Sequence, residues 1–226
     1  MELKQIYDVN NLKLTFKSKK VLEINTLKFH NGLIYGICGN LGSGKSSLLK
    51  VLSAEIKQSS GEVLYQGKEF TTNFFGKIRK EKDIAYIHVD LLKDSSTVES
   101  FIKSLFGKKS EKIKSNFFTN SGMDSLWRIR INNLSDGEKH WLKMVIALEK
   151  DPRVLLVDDY GLFLDFKSES LIRKKIIKMN NYQGTTIILS STTDFFLKQF
   201  CNVIFYLDNG HISKVRKGDT RRKNRN

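Results

Sequence analysis

Leu33-Ile-Tyr-Gly-Ile-Cys38, Gly39-Asn40-Leu41-Gly42-Ser43-Gly44-Lys45-Ser46, Ser47-Leu48-Leu49-Lys50-Val51-Leu52: here an apolar run breaks into glycines and resumes with leucines on one helical face. The middle segment matches the P-loop pattern, and its setting between a strand and an amphipathic helix is the context that gives such a match meaning. Glycines let successive backbone N–H groups curl around phosphate oxygens, and the helix start adds its dipole. Lys45 supplies a point charge and the Ser46 hydroxyl is suited to Mg²⁺. Residues 39–47 are therefore the expected nucleotide-phosphate site. A glycine turn between strand and helix in a protein without nucleotide is the alternative, and the Gly-Lys-Ser ending argues against it.

Upstream of the loop, Leu12 to Phe16 and Leu22 to Phe29 read as strands, with Asn31-Gly32 as a turn signal. Downstream, Ser60 to Gly67 reads as a strand closed by a turn, and Ser95 to Asn133 turns helical and polar, with lysines from Lys108 to Lys114. The last third alternates again: a helix after Gly137, an apolar strand Val154 to Val157, a helix over 168–179, then strands 185–189 and 203–207. Strands spaced by helices imply a parallel sheet, hence an α/β fold. The turn Asp208-Asn209-Gly210 closes the fold in this reading, ahead of a basic tail. Val154-Leu-Leu-Val-Asp158-Asp159 ends a buried strand on two acids, and below a P-loop Asp158 is expected to hold the Mg²⁺ water shell.

Composition narrows the class. The 226 residues include 39 Lys and Arg against 24 Asp and Glu, a formal charge of +15. That surplus would suit nucleic acid or an anionic lipid surface, but it is spread along the chain, and only the tail from Lys214 to Arg225 is a local concentration. Apolar runs fall far short of the roughly 20 residues a membrane helix needs, so no membrane insertion is expected. The N-terminus lacks the apolar region of a secretory signal, and a cytoplasmic location follows as an expectation. Cys38 and Cys201 show no metal-ligand spacing and are expected to be buried thiols.

Leu134-Ser135-Asp136-Gly137-Glu138 resembles the signature motif of the ATP-binding cassette (ABC) family, usually Leu-Ser-Gly-Gly-Gln. It opens a helix that leads through Asp151-Pro152 into the strand ending at Asp158, and Leu164-Asp165 follows where the family has its D-loop. The same residues also make a capping box, Ser135 with Glu138 three positions on, which needs no ligand. The resemblance covers nearly the whole chain. It implies a P-loop NTPase sheet with an N-terminal antiparallel β subdomain and an inserted helical subdomain at about 91–150. The ATP-binding domain would be 1–213 and a basic, disordered tail 214–226. It implies ATP and Mg²⁺ as cofactors and Phe16 as the ring stacked on adenine, a core phenylalanine being the alternative. Ser135, Asp136, Gly137 and Glu138 would reach ATP held by a second cassette, with a homodimer ahead of a heterodimer on base rates. Transmembrane permease subunits would be the other partners, placing the chain on the inner face of the membrane; nucleic acid is not expected.

Departures from the family pattern fall on hydrolysis. The usual glutamine of the Q-loop is Val89, with His88 and Asp90 beside it; the usual catalytic glutamate is Asp159; the usual switch histidine is Thr192, among Ser190, Ser191 and Thr193. Asp159 and Thr192 are thus the expected catalytic positions of a slow ATPase. A shorter carboxylate misplaces the attacking water, and about 1 Å costs on the order of a hundredfold. The rival readings are a nucleotide-gated module with little turnover and a soluble nucleic-acid-associated ABC ATPase.

Overall fold

The computed structural model describes residues 4–74, 76–88, 93–119 and 123–218. Strands β1 (Gln5–Phe16) and β2 (Lys19–His30) form a long antiparallel hairpin, β3 (Ile34–Cys38) leads into the P-loop, and α1 (Lys45–Leu52) follows it. Next come β4 (Ser60–Tyr65), β5 (Lys68–Glu69) and β6 (Ile84–Ile87), then the helical segment with α2 (Val98–Phe106) and α3 (Ser110–Lys114). Helix α4 (Asp136–Glu149), β7 (Val154–Val157), α5 (Phe166–Gln183), β8 (Thr186–Ser191), β9 (Val203–Asp208) and β10 (His211–Lys217) follow. Two sheets result: an antiparallel one ordered β2-β1-β4-β5, and a six-stranded one ordered β10-β9-β3-β8-β7-β6, parallel except at β10.

The continuous apolar runs are explained by burial on both faces of the parallel sheet. Along β7, Leu155 and Val157 enter one core, which also holds α4 and α5 residues such as Trp141, Val145, Ile172 and Ile176. Val154 and Leu156 enter the other, between this sheet, α1 and the antiparallel sheet. Strand β3 divides in the same way, Ile34 and Cys38 against Tyr35 and Ile37. β3 and β7 are therefore partitions between two hydrophobic cores, which is why each reads as an unbroken apolar run.

The chain boundary differs from the sequence expectation at one place. Lys214, Arg216 and Lys217 belong to β10, where they pair with Tyr206, Ile204 and Val203 of β9. Their charge suggested a structureless tail from residue 214, yet backbone pairing along an exposed edge is compatible with charged side chains. Asn209 and Gly210 have φ of 44° and 81°, the positive pair that closes a tight hairpin, so this Asn-Gly turn begins a further strand. Residues 219–226 lie outside the described residues. Cys38 and Cys201 are both free and buried.

Candidate nucleotide-binding site

The loop between β3 and α1 is fixed by close backbone contacts. Gly39 N–H donates to Ser191 O (3.2 Å) and Gly210 N–H to Ser43 O (3.0 Å), tying the loop to the ends of β8 and the β9–β10 hairpin. A Cβ on Gly39 would lie 2.2 Å from Leu207 O, so only glycine fits there. Gly44 caps α1 with φ 104°, a left-handed conformation that spares the helix start any side chain over its N–H groups. Lys45 is buried, and its ammonium donates to Gly39 O (2.7 Å) and Asn40 O (2.9 Å), which holds the charge over the loop. Ser43 Oγ is buried and has no hydrogen-bond partner among the described residues, Leu41 is 94% exposed, and Ser46 and Ser47 stand half-buried on the first turn of α1.

Asp158 and Asp159 leave β7 beside this loop. Asp158 is buried and accepts from Ser190 Oγ on Oδ1 (2.5 Å) and from Tyr86 OH on Oδ2 (3.3 Å). Asp159 has φ 51°, and its N–H donates to Ser190 Oγ (3.0 Å). Burial pushes its carboxyl above the usual carboxylate range, the neighbouring Asp158 adds to the rise, and Lys45 opposes it. Thr192, just past β8, is exposed, and its carbonyl accepts from the Cys38 thiol (3.8 Å). The structure thus brings Lys45, Asp158, Asp159 and Thr192 to the carboxyl ends of adjacent strands, where open α/β sheets bind ligands. Val89 and Asp90 lie outside the described residues. His88, the residue before them, stacks on Tyr86 at 4.6 Å.

Phe16 lies at the end of β1 with half its surface exposed, so it is not a core phenylalanine. The Ser135 to Glu138 segment is a capping box in full: Ser135 Oγ accepts from Glu138 N–H, and Glu138 Oε2 accepts from Ser135 N–H (2.7 Å) and Oγ–H (2.8 Å). Gly137 lies open toward Phe163, whose Cβ would be 3.6 Å from a Cβ there. One turn on, His140 is buried, neither ring nitrogen has a hydrogen-bond partner among the described residues, and its ring lies 5.5 Å from Phe163. Burial lowers its imidazole to about 4, Lys143 adds to that, and Asp158 opposes it.

Two functional candidates escape the sequence reading. Tyr86 gives no motif signal, and Ser190 is visible only as a neighbour of Thr192; sheet register unites them. Tyr86 pairs with Leu156 and Leu156 with Ile188, so Asp158 and Ser190, each two residues further along, share one face of neighbouring strands. Among the described residues no group of three or more His, Cys, Asp or Glu gathers into a cage. The buried carboxylate of Asp158 and the Ser46 hydroxyl are hard oxygen donors of the kind Mg²⁺ takes alongside substrate phosphates, so the donor chemistry fits that ion.

Fold and site together define a P-loop nucleotide-binding ATPase, and comparison with known proteins places it further. The family model described as ABC transporter matches residues 22–160. The chain belongs to that family. It is 28% identical over 221 residues to the methionine import ATP-binding protein MetN of Carboxydothermus hydrogenoformans, covering 90% of this chain and 64% of that protein. It is 26% identical over 211 residues to the tungstate uptake system ATP-binding protein TupC of Peptoclostridium acidaminophilum, covering 92% and 96%. Among solved structures, cbiO1 from Clostridium perfringens, part of the ABC transporter complex cbiONQ, superposes with TM-score 0.76 at 22% identity, covering 95% of this chain and 89% of that one. An ATP-binding cassette solved as a dimer in a post-hydrolysis state bound to ADP and Pi gives the same score at 21% identity, covering 93% and 98%.

Proposed function

We propose that this chain is the ATP-binding subunit of an ABC uptake system, coupling ATP binding and hydrolysis to transport by separate permease subunits. The observation that carries the reading is the buried Lys45 ammonium held over the loop carbonyls, with Asp158 and Asp159 on a neighbouring strand. Residues 39–47 would cradle the phosphates, Phe16 would stack on adenine, and Asp158 with Ser46 would hold Mg²⁺. The import direction is favoured by the relatives, which are named for methionine import and tungstate uptake. Among the described residues no helix is long and apolar enough to cross a membrane, in keeping with a subunit docked on the inner membrane face. Permeases would supply the span.

Hydrolysis would run through a second cassette. Inside the capping box the Gly137 N–H at the helix start is suited to a phosphate, with the Ser135 hydroxyl beside it, and nearby Leu162, Phe163, Phe166 and Phe195 expose apolar surface, a mark of interaction sites. A homodimer is the simpler assembly. In the active site Asp159 would orient or deprotonate water, and Thr192 would donate a hydrogen bond to the γ-phosphate. Asp159 favours a second reading, a cassette that binds ATP and turns it over slowly, because its carboxyl is one methylene shorter than the family's usual glutamate.

Steady-state ATP turnover with Mg²⁺ tests both. The subunit reading expects turnover that Lys45→Ala destroys, with Asp159→Glu raising it by roughly ten- to a hundredfold. ATP binding with no turnover in either the native chain or Asp159→Glu would leave only the gated module.

A further inference from the structure

The hydrogen bonds around Asp158 converge on one buried side chain. Ser190 has no exposed surface, and it does three things at once. Its hydroxyl donates to Asp158 Oδ1, the same oxygen accepts the Asp159 N–H, and its carbonyl accepts the Tyr160 N–H (2.7 Å). From the opposite strand Tyr86 OH donates to Asp158 Oδ2. A carboxylate oxygen has two lone-pair directions. With one direction on each oxygen taken by a hydroxyl, the Asp158 carboxylate has a single orientation and still keeps an acceptor site on each oxygen.

We infer that Ser190, assisted by Tyr86, is a positioning residue that orients the Asp158 carboxylate toward Mg²⁺ and fixes the left-handed backbone at Asp159. This rests on the Mg²⁺–ATP reading of the site. The physical reason lies in the terminus of β7: the Asp158 N–H still pairs with Ile87 O (2.8 Å), but at Asp159 the backbone turns to φ 51°, and backbone pairing alone orients neither carboxylate. A carboxylate that must rotate into place before binding a metal loses affinity through that ordering, and outer partners of metal ligands commonly change affinity by about ten- to a hundredfold. The backbone carbonyl of any residue at this position could hold Tyr160, whereas a hydroxyl both donates to one aspartate and accepts from the next through a single oxygen.

The test is ATP affinity of the full chain by calorimetry, with Mg²⁺ and with EDTA, for the native protein, Ser190→Ala, Ser190→Thr and Tyr86→Phe. Circular dichroism melts establish that each variant folds. The expected result is that Ser190→Ala loses about tenfold of the Mg²⁺-dependent gain while its EDTA affinity stays within about twofold, Tyr86→Phe loses less, and Ser190→Thr, which keeps the hydroxyl, retains the gain. A folded Ser190→Ala that keeps the full Mg²⁺ gain, or that loses affinity equally with and without the metal, overturns the inference. Should Ser190→Ala not fold, Tyr86→Phe carries the test: an unchanged Mg²⁺ gain there overturns the clasp. If the native chain itself binds ATP no better with Mg²⁺ than with EDTA, the metal reading fails as a whole, a result distinct from failure of the Ser190 variants alone.

Discussion

At Asp159 the backbone and the charge are both unfavourable for an ordinary acid: φ is 51°, and the carboxyl is held above its usual range by burial and by Asp158. A raised carboxyl means the folded chain keeps a proton that the unfolded chain releases. Its contribution to stability is therefore whole below the usual carboxylate range, about pH 4, and is lost as pH rises through the raised value. Asparagine tolerates the same left-handed conformation without the charge. Asp159→Asn is expected to melt higher than the native chain at pH 8, with the gap closing toward pH 4 in thermal scans; a constant gap would refute the charge explanation. His140 has the opposite sign. Its imidazole falls to about 4, below the ordinary 6.5, so its stability is present above 6.5 and is lost as pH falls toward 4. On the order of 3 kcal/mol is at stake across that window. His140→Leu should remove that share of the acid sensitivity, read as urea midpoints at pH 7 and pH 4.5.

Among the elements, α4 shows how one sequence signature serves two physical demands. The capping box satisfies orphan N–H groups at the helix start, and Ser135→Ala should cost about 1 kcal/mol in urea unfolding. The same box places the Asp136 and Glu138 charges where a phosphate would approach, partly offsetting the positive end of the helix dipole. Glu138→Gln preserves an acceptor for the Ser135 N–H and removes a charge. It is expected to strengthen ATP-driven association several-fold in sedimentation, while a variant associating no better would show that the helix start does not meet the nucleotide. The β elements were legible wherever both faces are buried, as in β3, β7 and β9, because the apolar run itself is the signal. The turn after β9 was legible too, but not its consequence: His211 to Lys217 sets Ile212 and Val215 among basic residues with no period-2 hydrophobic face to announce a strand, and only pairing with β9 reveals β10.

For the whole molecule, the rings of Phe166, Phe195 and Phe196 touch one another at 5.1 to 6.1 Å on a surface adjoining Gly161 and the D-loop. Phe166 and Phe195 are 73% and 56% exposed, so replacing both with serine should leave monomer melting nearly unchanged while weakening ATP-driven association; equal loss of both would make the cluster a part of the core. The sequence by itself determined the α/β class, the P-loop with Lys45, the strand ending on Asp158 and the family, because each is written in contiguous residues whose spacing is the chemistry. Tertiary structure alone decided that Phe16 faces solvent, that Lys214 to Lys217 form an edge strand, and that Tyr86 and Ser190 meet on Asp158. Those three residues are 72 and 32 positions apart in the chain and become neighbours through strand register, which no local pattern encodes.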